Sequence, residues 1–351
     1  MEKKKVTSVP IDDWGLTFGY GLFETLRIYH GIPFLVEAHV DRLLNSCREL
    51  SFTDIPDKET LIQLINQYIK KLNLPRGART LYAAQTVCED FHSSPGDGAY
   101  ASLPQNENSY ITNLPPGGGA LYAAQTVCED FHSSPDDGAY ARLPQNENSY
   151  ITNLNSRAVR LSITYGNEAE GISSTIFLSN RAIPYRDSDY REGIKAASSP
   201  YRKNEYSPIV QHKTFNQLEN IFSLRHCREK DAKECIFLNS SGFLAEGSKS
   251  NLFFIREGKV YTPSADCGIL PGITRQQVMD LLTGQGIAVM EGKYHFNELV
   301  ESDECFCTNS LMEVMPVVKI DDRRIGSGYP GELTRFALNL YGESVARGDY
   351  S

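Results

Sequence analysis

Residues 81–114 return almost unchanged at 121–154. "LYAAQTVCEDFHSSPGDGAYASLPQNENSYITNL" and "LYAAQTVCEDFHSSPDDGAYARLPQNENSYITNL" differ only at Gly96/Asp136 and Ser102/Arg142. A repeat of this length raises the prospect of a solenoid, but stacked repeats need about three units and keep only their core pattern. These copies match at surface-type positions too, so the block reads as a recent duplication set into another fold. Each copy is rich in Ser, Asn, Asp, Pro and Gly, and the linker "PPGGGA" breaks helix and strand alike. The block is expected to be loop-like, and no chemistry is assigned to His92, His132, Cys88 or Cys128. The folding signal therefore lies in the flanks.

Those flanks are regular. "LFETLRIYHGIPFLV" gives two β-rich runs around His30-Gly31, a hairpin signal, and "EAHVDRLLNSCREL" follows with helical spacing. A second helix is expected over roughly Lys58 to Leu72. After the repeat, "AVRLSITYG" alternates Val159, Leu161 and Ile163 as a half-buried strand, and "STIFLSN" is another. "PYRDSDYREG" is polar and reads as a hinge. Beyond it, strands are expected at "ECIFLN", "GFLAEG", "NLFFIREGKVYTP", "AVMEG" and "ECFCTN", with helices at "TRQQVMDLLTGQG" and "GELTRFALNLYGES". Strands outnumber helices and cluster as hairpins, so the fold class is α+β with two lobes. The boundaries read as a small N-terminal lobe over 1–185, interrupted by the repeat at about 80–155, and a larger C-terminal lobe over 190–351.

Composition narrows the partners. The chain has 351 residues, 40% of them hydrophobic, and a net charge of −9 spread along its length. That argues against a nucleic-acid surface and fits a soluble cytoplasmic enzyme acting on a small molecule. The N-terminal "MEKKKVTSVPIDDW" lacks the apolar stretch of a signal peptide, and no run approaches a membrane span. The eight cysteines show no CxxC pairing and are read as reduced thiols. The near pair Cys305 and Cys307 is not taken as a metal site, so no metal is expected.

"VQHKTFNQLENIF", residues 210–222, holds the residue on which function turns. Phe215, Leu218, Ile221 and Phe222 recur at helical spacing, which would put Lys213 at the edge of an amphipathic helix close to a buried face. A pyridoxal phosphate enzyme needs such a lysine, a partner for the ring nitrogen, and an anion site. Glu246 in "FLAEGSKSNLFF" supplies a carboxylate between two strand-like runs. "GILPGITRQQVMDLL" places Gly272, Ile273 and Thr274 at the mouth of a helix, where free N–H groups and the dipole favour an anion. Arg42 adds a positive charge, and Thr308 and Asn309 add donors. Taken singly, each has a bland reading: a solvated lysine, a turn carboxylate, an ordinary threonine cap.

In this order the motifs resemble the class IV aminotransferases, the fold-type IV pyridoxal phosphate enzymes. That group includes branched-chain and D-amino acid aminotransferases and 4-amino-4-deoxychorismate lyase. The resemblance rests on "FGYGLFETLRIYHGIPFLVEAHVDRL", "HKTFNQLEN", "LAEGSKSNLFFIREGKVYTP", "GILPGITR" and "TNSLMEVMPV". It implies the D-amino acid aminotransferase-like fold, a pyridoxal 5'-phosphate cofactor and a homodimer. It makes Lys213 the lysine that joins the cofactor and carries the proton. Glu246 pairs with the ring nitrogen, and Arg42, Ile273, Thr274 and Thr308 hold the phosphate.

The resemblance is less decisive about the reaction. D-amino acid enzymes carry an aromatic hydroxyl where Phe23 stands and an Arg/His carboxylate trap after the strand that ends at Tyr165-Gly166. "YGNEAEGISS" offers neither cation. Branched-chain enzymes typically have Tyr, and the lyases Arg or Tyr, where this chain has Gln217. "SSPYRKNEYSPIVQHKTFNQLEN" looks like the corresponding lyase segment, with Arg202 and Lys203 as loop cations for a dicarboxylate. The reading preferred is 4-amino-4-deoxychorismate lyase, which expels pyruvate and leaves 4-aminobenzoate in folate biosynthesis. A branched-chain-type aminotransferase is the alternative, and a binding protein that kept the fold without the reaction stands third. Phe23, Arg202, Gln217 and Asn309 are the candidate substrate contacts.

Overall fold

The hairpin at His30-Gly31 forms where the sequence places it. In this computed structural model, which describes residues 9–72, 74 and 156–348, strand β1 (Gly21–Tyr29) turns back into the short β2 (Ile32–Pro33). His30 and Gly31 have φ of 51° and 81°, the left-handed pair that a two-residue hairpin loop demands. The repeat block, with His92, His132, Cys88 and Cys128, lies outside the described residues.

β1 joins β3 (Arg157–Thr164) and β4 (Ile176–Ala182) in a four-stranded sheet ordered β2-β1-β3-β4. Ahead of it lies the short helix α1 (Trp14–Thr17), and helices α2 (Val36–Glu49) and α3 (Lys58–Lys71) follow β2. Asp57 caps α3 by accepting from the Thr60 N–H at 2.8 Å. Val159, Leu161 and Ile163, the alternating set of β3, are buried with Leu43, Leu61 and Ile65 from the two helices in one apolar cluster. Each such side chain contributes about 1.5–3 kcal/mol on burial, so period-two patterning on β3 and helical patterning on α2 and α3 support the same interior.

The second sheet takes all its strands from residues after 190. They are β5 (Ile194–Lys203), β6 (Glu234–Asn239), β7 (Leu244–Gly247), β8 (Asn251–Arg256), β9 (Lys259–Pro263), β10 (Val289–Gly292), β11 (Glu304–Asn309), β12 (Glu313–Ile320) and β13 (Arg323–Arg324). Their order is β10-β9-β8-β11-β12-β5-β6-β7, with β13 on β12. Helices α4 (Asp187–Glu192), α5 (Leu218–Glu229), α6 (Ile273–Gly284), α7 (Phe296–Val300) and α8 (Glu332–Arg347) accompany it. Val278 and Leu282 of α6 and Leu338 and Tyr341 of α8 pack on Phe253, Phe306 and Met315 of the sheet. Cys305 and Cys307, two apart on β11, share one face of the strand and are buried in this cluster.

Four sequence readings change. "PYRDSDYREG" contains the helix α4 rather than a hinge loop, because Tyr190 is 2% exposed and Asp189 accepts from the Arg186 N–H at 3.1 Å. Arg202 and Lys203 end strand β5 rather than lying on a loop. Pro200 hides the strand in the sequence, since proline cannot donate to a ladder, and the β5–β6 register does shift between Ser198 and Arg202. The helix expected to begin at Lys213 begins at Leu218, and its apolar residues point outward: Leu218, Ile221 and Phe222 are 78%, 63% and 54% exposed. Finally, not all cysteines are reduced. Cys227 of α5 and Cys235 of β6, with Cα atoms 5.7 Å apart, form a disulfide, whereas Cys47, Cys267, Cys305 and Cys307 are free and buried. Packing of α5 on β6 creates that proximity, which linear spacing did not announce.

The two sheets are tied by buried charge. Arg27 of β1 donates to the Leu311 carbonyl at 2.7 Å and sits 3.1 Å from Glu313 at the start of β12.

Candidate active site

Lys213 is placed by strand pairing. Thr214 makes an isolated antiparallel bridge with Leu22, the Phe23 N–H donates to the Lys213 carbonyl at 2.9 Å, and the Phe215 N–H donates to the Gly21 carbonyl at 2.8 Å. The lysine thus hangs from β1, and its Nζ lies 4.9 Å from the centre of the Phe23 ring. Burial is the main force that brings its amine down to about 8, with the Arg42 charge adding to it and Glu24 and Glu246 opposing. An amine so placed is about one-tenth neutral and nucleophilic at pH 7, against well under a thousandth for an ordinary lysine.

Lys213 opens onto a cavity of about 1170 Å³ walled by residues of both sheets. Glu246 of β7 lines it and is buried. Its Oε2 accepts from the Leu270 N–H at 2.9 Å and its Oε1 lies 3.6 Å from Lys203 Nζ. Burial pushes the Glu246 carboxyl up, and Lys203 is the foremost group resisting that rise.

The anion end lies at the start of α6. Gly272 gives the helix no side-chain cap, so the first N–H groups of Ile273 and Thr274 stay available at the cavity wall. Glycine is required there for closeness: a Cβ on Gly272 would lie 1.9 Å from Asn251 Oδ1. Asn251 in turn donates to the Leu270 carbonyl at 2.9 Å and fixes the approach of the "GILPGIT" turn, a role its place in "EGSKSN" did not reveal. Thr308, paired with Asn251 across β11 and β8, has a fully buried Oγ1 without a hydrogen-bond partner among the described residues. A buried hydroxyl of this kind fits a ligand oxygen.

Arg42 reaches the same end from α2. Its Nη1 donates to the Pro271 carbonyl at 2.8 Å, while Nε and Nη2 bind the two oxygens of Glu24 at 2.7 and 2.8 Å. His39 Nδ1 meets Glu24 Oε2 at 2.7 Å. Burial acts to raise the Glu24 carboxyl, but Arg42 and His39 outweigh it and hold the group far below the usual carboxylate range. Three of five Arg42 N–H groups are thereby used, which fixes the fork and leaves two for an anion. Sequence reading missed Glu24 and His39; the spacing of His39 and Arg42 on one face of α2, opposite a buried acid in β1, was the available signal.

The outer wall holds the candidate substrate contacts. Phe23, Arg202 and Gln217 line the cavity, with Arg202 on the exposed side of β5. Gln217 Nε2 donates to the Thr214 carbonyl at 3.1 Å. Asn309 also lines it, but its amide is committed to the turn: Oδ1 accepts from the Leu311 and Met312 N–H groups, and Nδ2 donates to the Lys249 carbonyl, all at 2.8 Å. Two cations went unnoticed in the sequence. Arg160 of β3 stacks 3.7 Å from the Phe23 ring centre, and Arg181 of β4 is its diagonal neighbour, since Arg160 pairs with Ser179. Among the described residues neither is ion-paired, and the charge of Arg181 adds to burial in lowering Arg160.

These parts suit pyridoxal phosphate: an amine, a carboxylate at one end, and N–H groups, an orphan hydroxyl and a guanidinium at the other. Comparisons with known proteins agree. The family pattern described as amino-transferase class IV matches residues 21–111 and 140–320. The chain is 24% identical over 349 residues to aminodeoxychorismate lyase of Bacillus subtilis, covering 98% of this chain and 92% of that one. It is 25% identical to D-alanine aminotransferase of Listeria innocua, covering 97% and 92%. Among solved structures, a putative 4-amino-4-deoxychorismate lyase of Legionella pneumophila matches with a TM-score of 0.68 at 20% identity, covering 98% and 97%. Branched-chain amino acid aminotransferase of Escherichia coli matches with 0.66 at 20% identity, covering 98% and 90%. The fold is the α+β fold of these fold-type IV enzymes, and the chain belongs to the class IV aminotransferases, a family of pyridoxal phosphate-dependent enzymes.

Proposed function

We propose that this enzyme is a 4-amino-4-deoxychorismate lyase, carried by Arg160 and Arg181 on the cavity wall. Two guanidinium groups at a diagonal repel, and an anion between them relieves that repulsion. A substrate with two carboxylates uses both such a wall and the Arg202 edge, whereas a branched aliphatic side chain leaves the arginines unpaired.

Lys213 would join the cofactor, Glu246 would meet its ring nitrogen, and Arg42, Thr308 and the Ile273 and Thr274 N–H groups would hold its phosphate. Bound in this way, pyridoxal phosphate would supply the electron sink that lets a proton leave the carbon bearing the amino group. Lys213 Nζ takes that proton, which an amine brought down to about 8 can do near neutral pH. The carbon–oxygen bond then breaks, and Lys213 returns a proton to the departing enolpyruvate to give pyruvate, leaving 4-aminobenzoate. Phe23, stacked under Arg160, sets the floor on which the substrate ring lies.

The working unit is a cytoplasmic homodimer on this reading. Leu218, Ile221 and Phe222 on α5, with Tyr201 ring-to-ring 5.5 Å from Phe222, form an exposed apolar face beside the cavity mouth that a second copy would cover. The deciding assay supplies aminodeoxychorismate without a keto acid: pyruvate release supports the lyase. Glutamate formation from 2-oxoglutarate and leucine, with no pyruvate from the first assay, replaces it with the branched-chain-type aminotransferase.

A further inference from the structure

The last residue of β5 is a lysine that the cavity does not need for any step above. Lys203 is 8% exposed, and its Nζ donates to Asn220 Oδ1 at 2.7 Å, lies 4.9 Å from the Phe237 ring centre and 3.6 Å from Glu246 Oε1. A neutral amine can also donate to an amide oxygen, but the aromatic face and the neighbouring carboxylate favour the ammonium. Asn220 is itself held, because its Nδ2 donates to the Ser248 carbonyl at 2.8 Å. A chain of contacts therefore runs from the β7–β8 turn through Asn220 and Lys203 to the carboxylate.

We propose that Lys203 is a positioning residue that keeps Glu246 anionic and aimed into the cavity, with Asn220 as its clamp. A carboxylate taken out of water loses its charge unless a cation or donors compensate. Among the described residues the groups facing Glu246 are few: Lys203 from β5, the Leu270 N–H, and Lys213 from the segment paired to β1. Lys213 is the one of these that would join the cofactor, and its amine would then no longer stand free beside the carboxylate. Lys203 is the cation that would remain there. This role rests on the reading that Glu246 meets the ring nitrogen only for its functional consequence; the charge state of Glu246 is independent of it.

The test therefore begins with cofactor-free protein. The Glu246 side-chain carboxyl is followed by ¹³C NMR, assigned by its loss in E246Q, across a pH titration of wild type, K203M, K203R and N220A. Lys203→Met is expected to raise the Glu246 midpoint by about 1–3 pH units, Lys203→Arg to restore it, and Asn220→Ala to raise it by less. An unchanged midpoint in K203M overturns the proposal, as does an unchanged midpoint in N220A if K203M does not fold. Pyridoxal phosphate binding is then measured on the same variants by absorbance. Binding by K203M that weakens tenfold or more below the raised midpoint and recovers above it supports the full chain of roles. A raised midpoint with unaltered binding supports Lys203 as the keeper of the charge and removes the ring nitrogen from the reading of Glu246.

Discussion

Helices α5 and α6 both begin at the cavity, and both follow segments that read in the sequence as helix starts, yet they contribute in opposite ways. At α6 the helix mouth is itself the proposed binding element, without a side-chain cap and pressed by Gly272 against Asn251. At α5 the helix is a bystander, starting five residues after Lys213, and the reactive amine belongs to an extended piece bridged to β1. On the proposed reading, backbone N–H groups serve the anion at one end and a desolvated side chain serves the chemistry at the other. Substitutions at the amine end should therefore alter reaction and charge, and those at the α6 end affinity for the cofactor.

The largest effect is expected at the amine. Lys213→Met should lower turnover by about 10³-fold or more, since both proton transfers lose their carrier. The same change should stabilise the cofactor-free protein. Wild-type Lys213 titrates at about 8 in the folded chain and near the ordinary lysine value when unfolded, so folding carries a penalty that is full below pH 8. That penalty is on the order of 3 kcal/mol, and it fades as pH rises through the interval up to about 10.5. Urea melts at pH 7 should favour the variant, and the advantage should vanish above that interval. A variant no more stable than wild type at pH 7 would break the contrast, because the amine would then not be desolvated.

At the other end, Gly272→Ala forces a methyl into the space of Asn251 Oδ1 and should weaken pyridoxal phosphate binding by about 10–100-fold, corresponding to the 1–3 kcal/mol of an overpacked site. Equilibrium titration of cofactor reads this directly, and wild-type affinity in the variant would remove the α6 mouth from the anion site. Arg160→Met should raise KM for aminodeoxychorismate about tenfold, the loss of one charge-assisted hydrogen bond, with cofactor affinity retained. The smallest change in fold stability is expected for Leu218→Ser with Ile221→Ser. Exposed positions stay within about 0.5 kcal/mol in thermal melts, while analytical ultracentrifugation should show loss of the proposed dimer.

Strand and helix positions were legible wherever a local rule governs them. The His30-Gly31 turn, the alternation in β3 and the capped start of α3 all follow from backbone preference and period. What was illegible depends on neighbours distant in sequence. Pro200 disguised β5 because its bulge is tolerated only through pairing with β12 and β6, and Lys203 consequently passed for a loop cation. The apolar spacing of Phe215, Leu218, Ile221 and Phe222 looked like a buried face, yet three of these side chains are exposed. Cys227 and Cys235 gave no warning of their bond. In the site, the lysine, the carboxylate and the helix mouth stood out as motifs. Glu24, His39, Arg160 and Arg181 did not, because a strand residue declares its role only when a partner strand or helix is laid beside it.

The bond pattern around Lys213 has a mechanical consequence. The amine is suspended from the four-stranded sheet, whereas Glu246, Gly272 and Thr308 are rooted in the nine-stranded one, and the Arg27–Glu313 and Arg42–Pro271 contacts stitch the seam between them. The reacting groups therefore face each other like the jaws of a caliper. Their working gap is set by how firmly that seam is sewn.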